Sequence, residues 1–107
     1  LPVGGAFHSP LMESAKKELK NVIDHTLFSN PICPIYQNVS GKAVIDAEQI
    51  KANLIAQLTA PVKWTQSMRN MLENKNIEVI EVGPGKVLQG LFKKVDRSIL
   101  TSSATIL

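Results

Sequence analysis

The chain has 107 residues, of which 44% are apolar and 20% charged, and this balance indicates one globular domain with a modest core. Its formal net charge is only +3, and no stretch interleaves basic with aromatic residues, which argues against nucleic-acid binding. The lone Cys33 excludes an internal disulfide framework and favours a reducing, cytoplasmic location. No apolar run approaches the roughly 20 residues of a membrane span, so no membrane partner is expected.

The first predicted helix runs from Ser9 to about Leu27. Ser9 suits the N-cap, and Pro10 suits the first turn, where a missing N–H costs nothing. Residues 1–7 are predicted to form a strand, the last of a small subdomain, so His8 would stand at a strand-to-helix turn. Apolar residues then recur at helical intervals, with lysines such as Lys16 on the other side: Leu11, Ala15, Leu19, Val22, Ile23 and Leu27.

In the middle of the chain, the residue pattern predicts a short strand over residues 34–39, a turn at 40–42 and two helices. Asp46 with Gln49 three residues later is a capping-box pattern, and it opens the second helix. Pro61 starts the third helix, whose apolar face is predicted to be core. That face carries Trp64, Met68, Met71 and Leu72.

The last part predicts a strand over residues 77–82, apolar enough for burial in a parallel sheet. Gly83-Pro84-Gly85 turns the chain into a fourth helix, and a final strand follows at 99–102. Strands that alternate with helices predict an α/β fold with short, mostly parallel strands and about four helices. The whole of 1–107 is predicted to be one incomplete domain, because the chain begins in an apparent strand. Uncovered sheet edges and apolar faces would favour self-association.

His8 is the leading candidate for chemistry, because histidine exchanges a proton near neutral pH. A nearby helix N-terminus would keep its ring neutral and basic. From the local residues alone, a solvent-exposed loop histidine without a chemical role is the favoured interpretation. His25 suits the C-terminal dipole of the first helix, and Cys33 suits a small buried apolar position better than a nucleophile.

No Gly-x-Ser-x-Gly elbow and no metal-ligand spacing occur in the sequence, and no metal or bound cofactor is expected. The turn at 83–85, followed by Lys86, could present N–H groups to an anion, although it lacks the full phosphate-loop pattern. Lys86, Lys93, Lys94 and Arg97 could form a basic edge that faces an acidic partner, or simply a solvated helix face.

Three stretches together resemble the malonyl-CoA:acyl-carrier-protein transacylases. Residues 5–12, Gly-Ala-Phe-His-Ser-Pro-Leu-Met, resemble the catalytic-histidine motif of that family. Gln57-Leu58 with residues 61–65 resembles a second signature, and residues 81–88 resemble a third. The match covers nearly the whole chain from Val3 onward but only the C-terminal third of the family's usual length. It implies the C-terminal part of an α/β-hydrolase-like acyltransferase fold.

The resemblance also implies a mechanism, in which a serine takes the malonyl group from malonyl-CoA and passes it to the phosphopantetheine thiol of acyl carrier protein. His8 matches the base, and Gln57 matches the residue whose main-chain carbonyl orients that base. If only the carbonyl matters, replacing the Gln57 side chain should be mild. Lys93 and Lys94 are expected to help recruit the acidic carrier protein.

The nucleophilic serine, the arginine that grips malonyl and the oxyanion-hole glutamine of the family find no match in this chain. The 107 residues alone are therefore expected to be inactive without the N-terminal part of the enzyme. Ala6-Phe7-His8 also resembles polyketide synthase acyltransferase domains, but the segment around Gln57 and Trp64 favours the free-standing enzyme. The remaining alternatives are a non-catalytic α/β module for an acidic partner and a small anion-binding domain.

Overall fold

The computed structural model describes residues 10–73 and 76–104, with side chains from residue 13 onward. Within these ranges the chain forms four helices and four strands in two compact units, residues 1–67 and 68–107. The helices are α1 (Pro10–Asp24), α2 (Ala47–Gln57), α3 (Trp64–Met71) and α4 (Val87–Val95). The strands are β1 (Ile35–Tyr36), β2 (Ala43–Val44), β3 (Glu78–Val82) and β4 (Leu100–Ala104).

In the first unit, α1 packs against α2, and β1 pairs antiparallel with β2. Asp46 caps α2 as the sequence predicts, because its carboxylate accepts the N–H of Gln49 at 2.9 Å. Strand β2 was not predicted, since two residues between a turn and a helix carry no alternating pattern. The buried apolar residues of this unit, all on α1 and α2, are Ile23, Ala47 and Ile50.

Helix α1 ends at Asp24, three residues before the predicted Leu27. His25 Nδ1 lies 2.7 Å from the carbonyl oxygen of Asn21, and the Thr26 hydroxyl donates to the carbonyl of Val22. Lys51 from α2 then donates to the main-chain carbonyl of Asp24 at 2.9 Å. These side chains satisfy the last carbonyls of the helix and stop it early.

The exposed carboxylate of Asp24 accepts a 2.8 Å hydrogen bond from the Lys20 ammonium, which holds the pKa of Asp24 below its ordinary value. The stabilisation from this pair is present above the unfolded pKa of the carboxyl and is lost as pH falls through the lowered folded value.

The apolar stripe that the sequence places on α1 is largely exposed in the described chain. Leu19 is 47% exposed and Val22 61%, whereas Lys16 is buried. Its ammonium lies 3.7 Å from the Glu13 carboxylate. Helix α1 packs against α2, and Ile23 is its buried apolar residue among those described with side chains.

The second unit is a βαβ arrangement in which α4 connects the parallel strands β3 and β4. The register pairs Glu78 with Leu100 and Val82 with Ala104. This confirms the predicted α/β class with parallel pairing. The buried apolar residues of the unit are Met68, Phe92 and Ile99.

The expected burial of β3 on both faces is wrong for the described chain. Ile80 and Val82 are 56% and 64% exposed, and Leu100 on the same face is 70% exposed. The opposite face lies against α4, and there the buried residue is Glu81. Alternating directions along a strand put 80 and 82 on one face and 79 and 81 on the other, so covering one face leaves the second apolar face exposed.

The predicted turn at residues 40–42 depends on Gly41, which has a φ of +67°. A Cβ at this position would lie 3.2 Å from the backbone nitrogen of Ser67 and 3.3 Å from Gln66 Cβ. Gly41→Ala should therefore lower the free energy of unfolding by about 2 kcal/mol. Gly90→Ala, inside α4 with open space around it, should raise it by about 0.5–1 kcal/mol. Urea denaturation of the two variants should give opposite signs, and equal effects would contradict this.

Candidate functional site

His8 and Ser9 precede the described residues, so the predicted strand-to-helix turn and the cap stay predictions. Helix α1 begins at Pro10, two residues after His8. Gln57, the other predicted site residue, is described in full as the last residue of α2.

The main-chain carbonyl of Gln57 stands at the tightened end of α2. It accepts the N–H of Ala60 at 3.3 Å, and the N–H groups of Leu58 and Thr59 make similar three-residue bonds at 3.2 and 3.3 Å. These are 3₁₀-type bonds, which commonly finish an α-helix. Because a carbonyl oxygen has two lone pairs, the bond from Ala60 leaves capacity for a second donor.

The side chain of Gln57 holds the chain that follows the helix, a contact beyond the main-chain role predicted for this residue. Its Nε2 donates to the carbonyl of Ala60 at 2.9 Å and approaches that of Pro61 at 3.4 Å. Its Oε1 is buried and accepts no hydrogen bond from the described residues. A glutamine three residues before the carbonyl it bonds has no distinctive pattern, so nothing in the sequence points to this contact.

A chain of carboxamides lies beside Gln57 between α2 and the segment after β1. Asn53 is buried and donates to Gln37 Oε1 at 2.9 Å, while Gln37 Nε2 donates to the carbonyl of Ile50 at 3.0 Å. Gln49 donates to Asn53 Oδ1 at 2.8 Å. A cavity of about 180 Å³ adjoins them and has no charged residue in its lining, which is Tyr36, Gln37, Asn38, Asn53, Leu54 and Gln57. These amides bind one another and the backbone of α2, so they hold the segment after β1 against that helix.

The turn at residues 83–85 joins β3 to α4, as predicted, with φ of +116° at Gly83 and +83° at Gly85. The Glu81 carboxylate folds back over this turn and accepts the N–H groups of Leu88 and Gln89 at 3.3 and 3.2 Å. The helix N-terminus thus already holds a negative group of its own. A bound anion would find the N–H groups of Leu88 and Gln89 already occupied and would be repelled by the negative charge of Glu81. This argues against the anion-binding interpretation.

The basic residues of α4 do not share one role. Lys93 donates from Nζ to the carbonyl of Ile99 at 3.0 Å, so its ammonium ties the end of α4 to the start of β4. Lys94 is exposed on the same helix, and Arg97 is exposed beyond it. Lys94 is therefore better placed than Lys93 to meet an acidic partner.

The structure tests two predictions of burial, one for Cys33 and one for the apolar face of the third helix. Cys33 is exposed, so the prediction that it is a buried apolar residue is wrong; it follows Ile32 in a loop whose side chains project into solvent. In the third helix Met68 is buried at 3% exposure, which confirms the predicted core there, while Trp64 and Met71 are half-buried.

Among the described residues, no group of histidine, cysteine and carboxylate side chains could hold a metal ion. The same part of the chain has no helix long and apolar enough to cross a membrane.

No protein-family model matches the chain, but individual proteins do. The malonyl CoA-acyl carrier protein transacylase of Bacillus subtilis is 41% identical over 101 residues, which cover 94% of this chain and 32% of that protein. The transacylase of the same description from Staphylococcus aureus is 37% identical over 107 residues, or 99% of this chain and 35% of that one. The chain therefore spans about a third of the length of the curated relatives that it matches.

Solved structures of proteins with related descriptions are also similar to this chain. The acyl carrier protein S-malonyltransferase of Vibrio cholerae superposes with a TM-score of 0.81 at 36% identity, over 100% of this chain and 35% of that one. A malonyl-transacylase solved in complex with a type II polyketide synthase acyl-carrier protein gives a TM-score of 0.76 at 34% identity, over 99% and 34% of the two chains. The resemblance is thus confirmed: this chain is similar in sequence to about one third of a malonyl CoA-acyl carrier protein transacylase and has the fold of that third.

Proposed function

We propose that the full-length protein transfers a malonyl group from malonyl-CoA to the phosphopantetheine thiol of acyl carrier protein. The observation that carries the proposal is the 41% identity to a curated transacylase of that description over 94% of this chain. The three motifs support it because they occur in the family's order.

In the proposed reaction, a serine elsewhere in the enzyme attacks the thioester carbonyl of malonyl-CoA while His8 accepts the hydroxyl proton. The C–S bond breaks, the CoA thiol leaves with that proton, and a malonyl-serine ester remains. The thiol of the carrier protein then gives its proton to His8 and attacks the ester carbonyl. The C–O bond to the serine breaks, and His8 returns the proton to the serine oxygen, which regenerates the enzyme. The second lone pair of the Gln57 carbonyl is the acceptor proposed to orient the ring of His8.

The decisive experiment incubates the full-length protein with malonyl-CoA and holo acyl carrier protein and measures the mass of the carrier. We expect a gain of one malonyl group that requires the enzyme, and no gain with residues 1–107 alone. A full-length protein that leaves the carrier mass unchanged would overturn the proposal. Preferential transfer of another acyl group would overturn the malonyl assignment.

The carrier protein is proposed to approach the exposed Lys94. Lys94→Glu should raise the apparent KM for the carrier several-fold at low salt and much less at high salt, because exposed charges act over only about 10 Å at 0.1 M ionic strength. A double change with Lys93 would also break the bond to Ile99, so the single variant is the cleaner test. Lys17→Glu on the exposed surface of α1 is the control, and equal KM values for both variants would discard the docking role.

A further inference from the structure

The two backbone groups of Ala60 both bind the same residue. The N–H of Ala60 donates to the main-chain carbonyl of Gln57 at 3.3 Å, and the carbonyl of Ala60 accepts from Gln57 Nε2 at 2.9 Å. Gln57 Nε2 also approaches the carbonyl of Pro61 at 3.4 Å. One residue thus closes a small ring with the turn that follows its own helix.

We propose that the side chain of Gln57 is a positioning group, which fixes the turn at residues 58–61 and thereby fixes the direction of the Gln57 main-chain carbonyl. This inference rests on the proposed function, in which that carbonyl orients His8. It assigns a second role to a residue whose side chain the resemblance leaves without one.

The need for such a group follows from the backbone geometry. The final turn of α2 is held by three 3₁₀-type bonds of 3.2–3.3 Å, which are longer than ordinary helical bonds and have poorer geometry. Ends of helices fray, and a frayed end would let the last carbonyl swing. The shorter 2.9 Å bond from Nε2 ties the turn back to the helix.

The chain becomes firmly held again only two residues beyond Pro61. Lys63 donates its N–H to the carbonyl of Asn38 at 2.7 Å, and its own carbonyl accepts the N–H and hydroxyl of Ser67. The turn is therefore anchored at one side by Lys63 and at the other by Gln57. Removing the Gln57 amide releases one of the two anchors.

Replacing the side chain of Gln57 should therefore lower kcat, whereas the same replacement at a residue with only a main-chain role should not. Misplacing a catalytic group by about 1 Å can cost about a hundredfold in rate, and a loosened carbonyl should cost part of that. Gln57→Met keeps the length of the side chain and removes both hydrogen-bonding groups. In the full-length enzyme we expect kcat to fall about tenfold, with the KM for malonyl-CoA unchanged within about twofold, because the proposed role of Gln57 is to position His8 and not to bind substrate.

Gln49→Met is the matched control. It removes a carboxamide from the same helix, including a 2.8 Å bond to Asn53, but leaves the turn at residues 58–61 untouched. Its kcat should equal that of the unmodified enzyme. A kcat for Gln57→Met equal to that of Gln49→Met would overturn the inference.

Hydrogen–deuterium exchange of residues 58–63 in the folded enzyme gives a second readout that does not depend on turnover. Exchange there should quicken in Gln57→Met and stay unchanged in Gln49→Met; unchanged exchange in both would overturn the inference even if kcat fell. The proposed function fails separately, through normal turnover of His8→Ala. Faster exchange with a reduced kcat in Gln57→Met, beside an inactive His8→Ala, supports both.

Discussion

His8→Ala in the full-length enzyme should lower kcat for malonyl transfer by about a thousandfold. A positioned general base contributes about 10² to 10⁴ in rate, and the proposed mechanism uses His8 twice, once to accept the serine proton and once to accept the carrier thiol proton. The measurement is the steady-state rate of transfer to holo carrier protein, together with the burst of malonyl-enzyme formed on mixing with malonyl-CoA. The variant should show no burst, because acylation itself requires the base.

His25→Ala is the control, because His25 is the other of the two histidines in the chain. Its ring lies against the carbonyl of Asn21 at the end of α1 and is exposed, so the change should cost a small amount of helix stability and leave turnover unaltered. Normal activity of His8→Ala would remove His8 from the mechanism. Equal losses in both variants would show that the effect is structural.

The elements of this fold were predictable where local chemistry defines them. The N-cap carboxylate of Asp46 and the glycines at 83 and 85 act within a few residues of themselves, and α2 and the β3–α4 turn formed where they indicated. The reliance on local patterns also explains why β2 was not predicted. Strand β2 exists through its pairing with β1, and its two residues are too few to show an alternating pattern.

Burial was harder to predict than secondary structure, because periodicity shows which residues share a face but not whether another element covers that face. The apolar stripe of α1 at Leu19 and Val22 is real, yet it is exposed in the described chain. Conversely, Glu81 was predicted to belong to a mostly apolar strand with no role of its own. It is buried because α4 presents backbone N–H groups to it.

The candidate site also has a part that a local motif indicates and a part that depends on the folded chain. Gln57 could be singled out from its motif, but its position depends on the long-range bond between Lys63 and Asn38 and on the contacts of its side-chain amide. A motif names a residue and carries no information on which of its atoms act. For Gln57 the groups that could act are the main-chain carbonyl and the side-chain carboxamide. The contacts of both groups are seen only in the folded turn.

Glu81→Ala should lower the free energy of unfolding by about 3 kcal/mol. The variant removes a buried acceptor and leaves the N–H groups of Leu88 and Gln89 without their partner at the start of α4. Lys86 at the N-cap makes no side-chain capping bond, so no local group replaces the carboxylate. The favourable interaction of a negative charge with the helix dipole is lost as well.

Two companion variants separate the charge from the shape. Glu81→Gln keeps one acceptor oxygen but turns a donor amide toward the other N–H, so it should cost about half as much as the alanine change. Glu78→Ala lies on the same strand, where its exposed carboxylate accepts only a 3.3 Å bond from the Ser102 hydroxyl, and it should cost about 0.5 kcal/mol or less. Urea unfolding of the full-length enzyme should rank the three losses in that order. Equal losses for Glu81→Ala and Glu78→Ala would mean that the carboxylate does not cap α4.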